Sequence, residues 1–388
     1  MAKHVLIIPS WYVNSYNQIS GSFFREQAIA LAKNPKLKVG LISVQPIGIK
    51  PIIKTKKFIF RRGYLLDNNV HTYFFEYPHL LRNESIAESI RLNIFKKIFK
   101  KYVNENGLPD IVHLHSFYAG EMAIWLKGVF KIPYVVTEHS TAFSRQILTY
   151  KQKELAEKVF TQSKLNIAVS HQFKNLLEQL FNINFYYLPN IVDNYFLNLN
   201  PKQKLECSSN FIFINIGFLD KKKNQSLLIN SFYKSFFTNK NIKLWIVGDG
   251  PEYSNLEKLI ERLELTEQVT LFGRVSRKEV KRLLSQAHVF VLSSLVETFG
   301  VVIIEALAMG LPVIATKCGG PESIITSKNL GLLVENDNEE EMTRALLYIV
   351  KNFKDYDKFI LKDYVRNNFS EEIIVQKLIN IYLGICDR

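Results

Sequence analysis

With 388 residues, 47% of them apolar and 22% charged, the chain is globular in composition and long enough for two domains, which excludes a disordered or fibrous class. No apolar run reaches the roughly 18 residues of a membrane-spanning helix. Three widely spaced cysteines, Cys207, Cys318 and Cys386, form neither a metal spacing nor a disulfide framework, so a reducing cytoplasm is the expected setting. The net charge of +14 is uneven, because residues 1–200 hold 25 Lys+Arg against 13 Asp+Glu, while the remainder holds 25 against 23. No nucleic-acid motif accompanies this charge, so nucleic acid is not an expected partner.

Short apolar strands alternate with helical segments along the whole chain, the pattern of parallel α/β sheets. In the first half "HVLIIP", "KVGLISV", "IVHLH", "YVVTEH", "LNIAVS" and "FYYLPN" read as strands, with helices over residues 23–33 and 120–129. The basic stretches 50–62 and 90–103 fall in this half. The second places Ile94, Ile98 and Phe95 or Phe99 near one helical face ringed by Lys96, Lys97, Lys100 and Lys101. That arrangement suits a helix on an anionic membrane surface, or equally a solvated helix packed on a core.

Residues 190–210 are polar and without period, which predicts a domain boundary there. Beyond it, "FIFINIG", "KLWIVGDG", "VTLFG", "VFVLSS", "PVIAT" and "GLLVE" read as strands. Helices are expected over 224–237, 253–263, 277–285, 301–308 and 339–350. A last helix opens with Ser370 as N-cap and acidic first-turn residues. The fold class expected is α/β, two Rossmann-like doubly wound domains facing a cleft. The N-terminal domain covers 1–200 and the C-terminal one 201–369, and the helix 370–388 is expected to pack back on the N-terminal domain.

Ligands bind at the carboxyl ends of strands in such sheets, and several strand ends of the second half look prepared for an anion. Gly217 ends a strand and precedes Lys221, Lys222 and Lys223; Gly248 and Gly250 end the next one; Gly300 opens a helix, and Gly319 and Gly320 follow another strand. Glycine lets a phosphate approach the backbone, helix N-termini expose free N–H groups, and Lys223 can add a full charge. Two carboxylates stand out: Glu297 in "SSLVETFG", and Glu305 inside the apolar helix that follows. A carboxylate in such a helix is costly unless something polar comes to it. Eight residues apart, the pair fits the two ends of an elongated sugar nucleotide better than a proton-sharing dyad.

The block from Glu297 to Glu305 resembles the E-x7-E signature of family-4 retaining glycosyltransferases of the GT-B fold. "GFLDKKKN", "VGDGPE", "VTLFGRV", "PVIATKCGG", "LPNIVD" and the glycine-loop opening "IPSWYVNSYNQISGSFFREQAIALA" extend the likeness over nearly the whole chain. The resemblance implies that Glu305 binds the nucleotide ribose. Glu297, with the amides of Phe299, Gly300 and Val301, would hold the donor sugar. Lys223 would neutralise the diphosphate, Gly21 would bring an N-terminal loop to the same phosphates, and the base would lie against Arg274 and Val275. It implies no metal and no cofactor, the donor being a UDP- or GDP-sugar. The family often has arginine where Phe218 stands here, which leaves the leaving-group electrostatics to Lys223, with Lys221 or Lys222 as substitutes.

In the N-terminal half the same resemblance places a histidine near the reacting centre in each of two regions, "IVHLHSFYAG" and "VVTEHSTAF". His113 and His115 alternate onto one side of a strand, His115 nearer its mouth, and His115 and His139 rank equally. Catalysis would rest on positioning and on stabilising the leaving diphosphate, with the donor phosphate accepting the acceptor's proton. The expected function is transfer of a sugar from a nucleotide donor to a glycan, with a lipid-linked acceptor, at the inner face of a bacterial membrane and in surface polysaccharide synthesis. A catalytically silent sugar-nucleotide-binding subunit and a sugar-nucleotide epimerase are the alternatives.

Overall fold

A computed structural model describes residues 2–17, 20–49, 52–53, 60–79, 84–198 and 210–386. Most of the basic stretch 50–62 and part of the 190–210 boundary lie outside the described residues. The chain divides into two compact units: residues 1–169, 174–191 and 374–388, and residues 170–173 and 192–373. The division falls a few residues before the one expected from composition, and the terminal helix Glu371–Cys386 passes from the second unit into the first. Its residues Ile374, Val375, Leu378, Ile379 and Tyr382 share a core with Val5, Ile7, Leu31 and Ile111.

In the first unit eight strands lie in the order β3-β4-β2-β1-β5-β6-β7-β8. They are β1 (Lys3–Pro9), β2 (Leu37–Ile47), β3 (Arg61–Asp67), β4 (Val70–Pro78), β5 (Ile111–His115), β6 (Tyr134–Glu138), β7 (Leu165–Ala168) and β8 (Tyr186–Tyr187). All pair in parallel except β3 with β4, an antiparallel hairpin. The hairpin turns at Asn68 and Asn69, both with positive φ (48° and 68°), the conformation a two-residue turn demands and asparagine tolerates. Sequence reasoning missed this hairpin, although "DNN" between apolar runs was its signal.

The helix over the 90–103 region spans Glu84–Asn106 and fits the second of the two readings open for it, a helix packed on a core. Phe95, Phe99 and Tyr102 are wholly buried, and Trp125 packs edge-on against both phenylalanines at 6.2 and 5.8 Å. Its aromatic face therefore belongs to the core of its own unit, and Ile94 and Ile98 are half-buried. Among the exposed parts of this unit is the edge strand β3, with Arg61, Arg62, Tyr64, Leu65 and Leu66 all open to solvent.

The second unit holds six strands, all parallel, in the order β11-β10-β9-β12-β13-β14. They are β9 (Phe211–Ile216), β10 (Ile242–Val247), β11 (Val269–Gly273), β12 (Val289–Leu292), β13 (Val313–Thr316) and β14 (Gly331–Val334). The order reverses between β9 and β12, the switch point at which doubly wound sheets bind ligands. The loops leaving those two strands carry Lys223 and Glu297. Helices cover the sheet because their apolar faces, such as Leu227, Leu228, Phe232 and Phe236 of Gln225–Phe236 and Met342, Leu346 and Ile349 of Glu339–Lys351, complete its core.

Candidate functional site

After β9 the chain runs through Gly217 and an exposed Phe218 into a 3-10 turn, Lys221–Lys223, and Asn224 takes a left-handed conformation (φ 46°) before the helix Gln225–Phe236 starts. After β12 the loop 293–300 lies alongside: the Leu295 amide donates to the Lys222 carbonyl at 2.7 Å and the Ser293 hydroxyl to the Lys223 carbonyl at 2.9 Å. These bonds bring the Lys223 ammonium onto Glu297 as an ion pair. Ser294 donates to the same carboxylate oxygen at 2.8 Å. The two side chains are only 19% and 11% exposed. Burial alone would lower the lysine's pKa, but the charge and hydrogen bond of Glu297 hold it above the ordinary value of 10.5. A lysine kept charged while largely desolvated is suited to meeting an anion.

Glu305 is on the helix Val301–Ala308, whose residues Ile303 to Ala308 are all buried. The helix is apolar because it packs inside the unit, against β12, β13 and the helix Lys358–Phe369. The carboxylate is 3% exposed, and Arg277 donates to its Oε1 at 2.6 Å. Desolvation pushes the Glu305 pKa above the usual carboxylate range, and Arg277 pulls it partly back. Arg277 opens the helix Arg277–Gln286, lies over the Phe196 ring at 4.8 Å and reaches Asp193 at 3.9 Å. The sequence reading missed Arg277, since nothing in the spacing joins position 277 to 305. Arg274 and Val275 stand just before it, and Arg274 sits half-exposed at 3.7 Å from Asp249.

The glycines divide into two kinds. A Cβ on Gly248 would lie 1.8 Å from the Gly217 carbonyl oxygen, one on Gly250 2.2 Å from the Leu219 carbonyl oxygen, and one on Gly320 2.3 Å from that of Phe299. These glycines allow strand-end loops to touch, so their requirement is met inside the protein. Gly217 is different: its Cβ would meet nothing nearer than the Lys223 side chain at 3.8 Å. Gly300 caps its helix with φ 101°. Phe299 is buried against Phe369, centroids 5.9 Å apart, and the Gly300 and Val301 amides open the helix beside it.

In the first unit Gly21 (φ 66°) precedes the helix Ser22–Ala32, and a Cβ there would strike the Trp11 carbonyl oxygen at 2.7 Å. One turn on, Phe24 packs against both His115 and His139, centroids 4.7 and 4.9 Å away. His115 Nδ1 and His139 Nε2 are 3.2 Å apart. Burial pushes the His139 pKa down to about 3 and that of His115 well below its ordinary value, so both rings are neutral. His113 does share the side of His115, rings stacked at 4.2 Å. It is nonetheless a core residue, fully buried and bonded to Tyr382 at 2.7 Å and Thr137 at 2.8 Å.

Comparison with known proteins agrees with this architecture. The family model for glycosyl transferases group 1 matches residues 198–365, and that for Glycosyltransferase Family 4 matches residues 62–194. A probable sucrose-phosphate synthase of Thermosipho melanesiensis is 30% identical over 76% of this chain and 73% of its own length. The N-acetyl-alpha-D-glucosaminyl L-malate synthase of Bacillus anthracis is 25% identical over 90% of this chain and 97% of its own. Among solved structures, a sucrose-phosphate synthase of Thermosynechococcus elongatus superposes with TM-score 0.77 at 18% identity, covering 99% of both chains. Anabaena HepE in complex with UDP superposes with TM-score 0.74 at 17% identity, covering 98% of this chain and all of that one. The chain is a glycosyltransferase, a member of family 4 with the paired Rossmann-like domains of the GT-B fold.

Proposed function

We propose that this glycosyltransferase takes its sugar from a nucleoside-diphosphate donor held in the second unit and passes it, with retention at the anomeric carbon, to a glycan acceptor. The observation that carries the reading is the Lys223–Glu297 pair at the switch point. Lys223 meets the diphosphate, Glu297 and the amides of Phe299, Gly300 and Val301 meet the sugar, and Glu305 accepts from the ribose hydroxyls. As the C1–O bond to phosphate breaks, the diphosphate leaves with the electron pair and Lys223 offsets its growing charge. The acceptor oxygen bonds to C1 from the same face, and its proton passes to a donor phosphate oxygen. These steps need no metal from the protein. The UDP in the HepE complex supports a UDP donor.

The acceptor is lipid-linked in this proposal, and the protein works peripherally at a membrane surface in polysaccharide synthesis. The basic first 200 residues and the exposed Arg61, Arg62, Tyr64, Leu65 and Leu66 of β3 support it, since cations beside apolar side chains suit an anionic interface. No helix among the described residues is long and apolar enough to cross a membrane. Failure to bind anionic vesicles at low salt would remove this part of the proposal.

The donor pocket is tested by titrating the protein with UDP, GDP and ADP in a calorimeter, without divalent metal, beside Glu305→Ala. One nucleotide binding clearly, and more weakly to the variant, is the expected result; no binding of any overturns the donor assignment. The exposed Phe218, where the family resemblance leads one to expect an arginine, favours a second reading, a silent sugar-nucleotide-binding subunit. That subunit would bind the nucleotide and turn over no donor with any acceptor.

A further inference from the structure

Between the two strand-end histidines of the first unit stands a carboxylate for which their role alone does not account. Glu138 ends β6 and is completely buried. Its Oε1 accepts from the Ser116 hydroxyl at 2.5 Å and from the amides of His139 and Ser140 at 2.8 Å each, and its Oε2 accepts from the Phe117 amide at 2.9 Å. Among the described residues no cation pairs with it. Burial pushes its pKa up, and the four donors pull it back. Three of the four partners are backbone amides that can only donate, and the ionised form meets all four with no proton of its own to place, so the site suits a buried anion. A buried charge without a counter-ion costs several kcal/mol.

A second cost sits beside it. Ser116 has φ 63° and ψ 150°, a region used almost only by glycine and worth about 1–3 kcal/mol of strain. It is held there by its amide to the Thr137 carbonyl at 2.8 Å, by the Ser10 hydroxyl on its own carbonyl at 2.7 Å, and by Glu138. Ser116 follows His115 and Glu138 precedes His139. The carboxylate therefore ties together the backbone immediately after one imidazole and that immediately after the other. With both ends fixed, the rings lie within 3.2 Å of each other against Phe24. His115 Nε2 is buried with no partner among the described residues, so ring orientation is set by the backbone, by the His139 contact and by packing on His113 and Phe24.

We propose that Glu138 is a positioning residue: its ionised carboxylate locks the loops after β5 and β6 and sets the His115–His139 pair in register for the acceptor hydroxyl. This rests on the proposed transferase reading for the identity of the hydroxyl, and on the first unit alone for the positioning. Glutamine in either orientation sets its own N–H against a backbone N–H, that of Phe117 or those of His139 and Ser140, so Glu138→Gln breaks the lock with little change in volume.

The test is the set of imidazole ring signals in long-range 1H–15N spectra of the full chain, compared between wild type, Glu138→Gln and Ser116→Gly. Glycine suits the φ and ψ at 116, so the second variant folds even if the first does not, while losing one of the four bonds. The expected result is a shift of the His115 and His139 signals in both variants, with those of His171 and His288 unmoved. Turnover, read as nucleoside diphosphate released from the sugar nucleotide whose nucleotide the wild type binds, is expected to fall about ten- to a hundredfold in Glu138→Gln, with the donor KM within about twofold. Unmoved ring signals in Ser116→Gly together with either unmoved signals or failure to fold in Glu138→Gln overturn the proposal. A wild type that binds no nucleotide overturns the donor assignment instead and leaves the ring comparison readable.

Discussion

Lys223 and Glu297 come from loops leaving different strands, 74 residues apart in sequence, and meet as an ion pair largely withdrawn from water. The pairing keeps the ammonium charged, since Glu297 raises its pKa against the pull of burial. Removing the cation leaves a shielded carboxylate facing any incoming phosphate. Lys223→Ala is expected to weaken nucleoside-diphosphate binding at least about tenfold, about 1.4 kcal/mol, in a calorimetric titration. Lys223→Met with Glu297→Gln should lose less than the two single changes combined, because neither partner is then left charged and alone.

The same pair sets an alkaline limit. A group whose pKa is raised on folding gives stability that is fully present below its unfolded value, and that stability fades as pH climbs through the folded one. For Lys223 the window lies above 10.5. Thermal melts from pH 8 upward should show wild type losing stability more steeply above that point than a Glu297→Gln variant, whose lysine has lost its largest source of upward shift. Parallel curves would mean the pair contributes nothing to folding.

Glu305 presents the opposite balance. Burial raises its pKa, so ionisation at neutral pH costs folding free energy, and this cost sets in as pH rises above about 4.5. Glu305→Gln is therefore expected to hold or raise the melting temperature at pH 7 while nucleotide affinity falls at least about tenfold. Arg277→Ala does the reverse to stability, leaving the carboxylate buried without its cation, at a cost of about 2–3 kcal/mol in urea unfolding. A stable Arg277→Ala protein would show that solvent already satisfies the Glu305 carboxylate.

How much of this was readable beforehand follows from which interactions are local. Strand and helix positions in the second unit were legible because apolar runs with glycine ends are written in adjacent residues; the expected helix 301–308 matches the observed Val301–Ala308. The β3–β4 hairpin was missed because its strand β3 is solvent-exposed on both faces and shows no alternation to read. Arg277 was out of reach for a different reason, as was the role of Glu138, although its place at a strand end beside His139 was legible. Their distant partners, Glu305 for the one and the Ser116 hydroxyl with the Phe117 amide for the other, are defined only once the chain is folded. His113 shows the converse limit: alternation gave its side correctly, but the Tyr382 hydroxyl that makes it a core residue arrives from the far end of the chain.

The histidines of the first unit supply an acid-side prediction. His113 and His139 are held neutral, with pKa values pushed down to about 3 by burial. The unfolded chain takes protons at these positions near pH 6.5 while the folded one refuses them, so stability falls as pH drops from about 6.5 toward 3. Urea midpoints measured from pH 7 to 4.5 should decline, and His113→Gln should flatten the decline even though it starts lower at pH 7, having lost the bonds to Tyr382 and Thr137. A slope unchanged by that substitution would place the acid sensitivity elsewhere.

Two glycines allow stability and binding to be separated. At Gly248 a methyl group would lie 1.8 Å from the Gly217 carbonyl oxygen, on a backbone with φ 149°. The carbonyl belongs to the main chain of the neighbouring strand end and cannot swing away, so Gly248→Ala should cost about 3 kcal/mol or more. At Gly217 a methyl would meet only the flexible end of Lys223 at 3.8 Å, ordinary contact distance, so Gly217→Ala should unfold at a urea midpoint close to that of wild type. Its methyl nevertheless occupies the space between the strand end and the lysine, where a phosphate would approach the backbone. Nucleotide affinity in Gly217→Ala is therefore expected to drop about tenfold or more with stability intact. Equal affinity in the two proteins would mean that no phosphate passes over this strand end, and the position of the diphosphate would have to be sought at the helix opening beside Gly300.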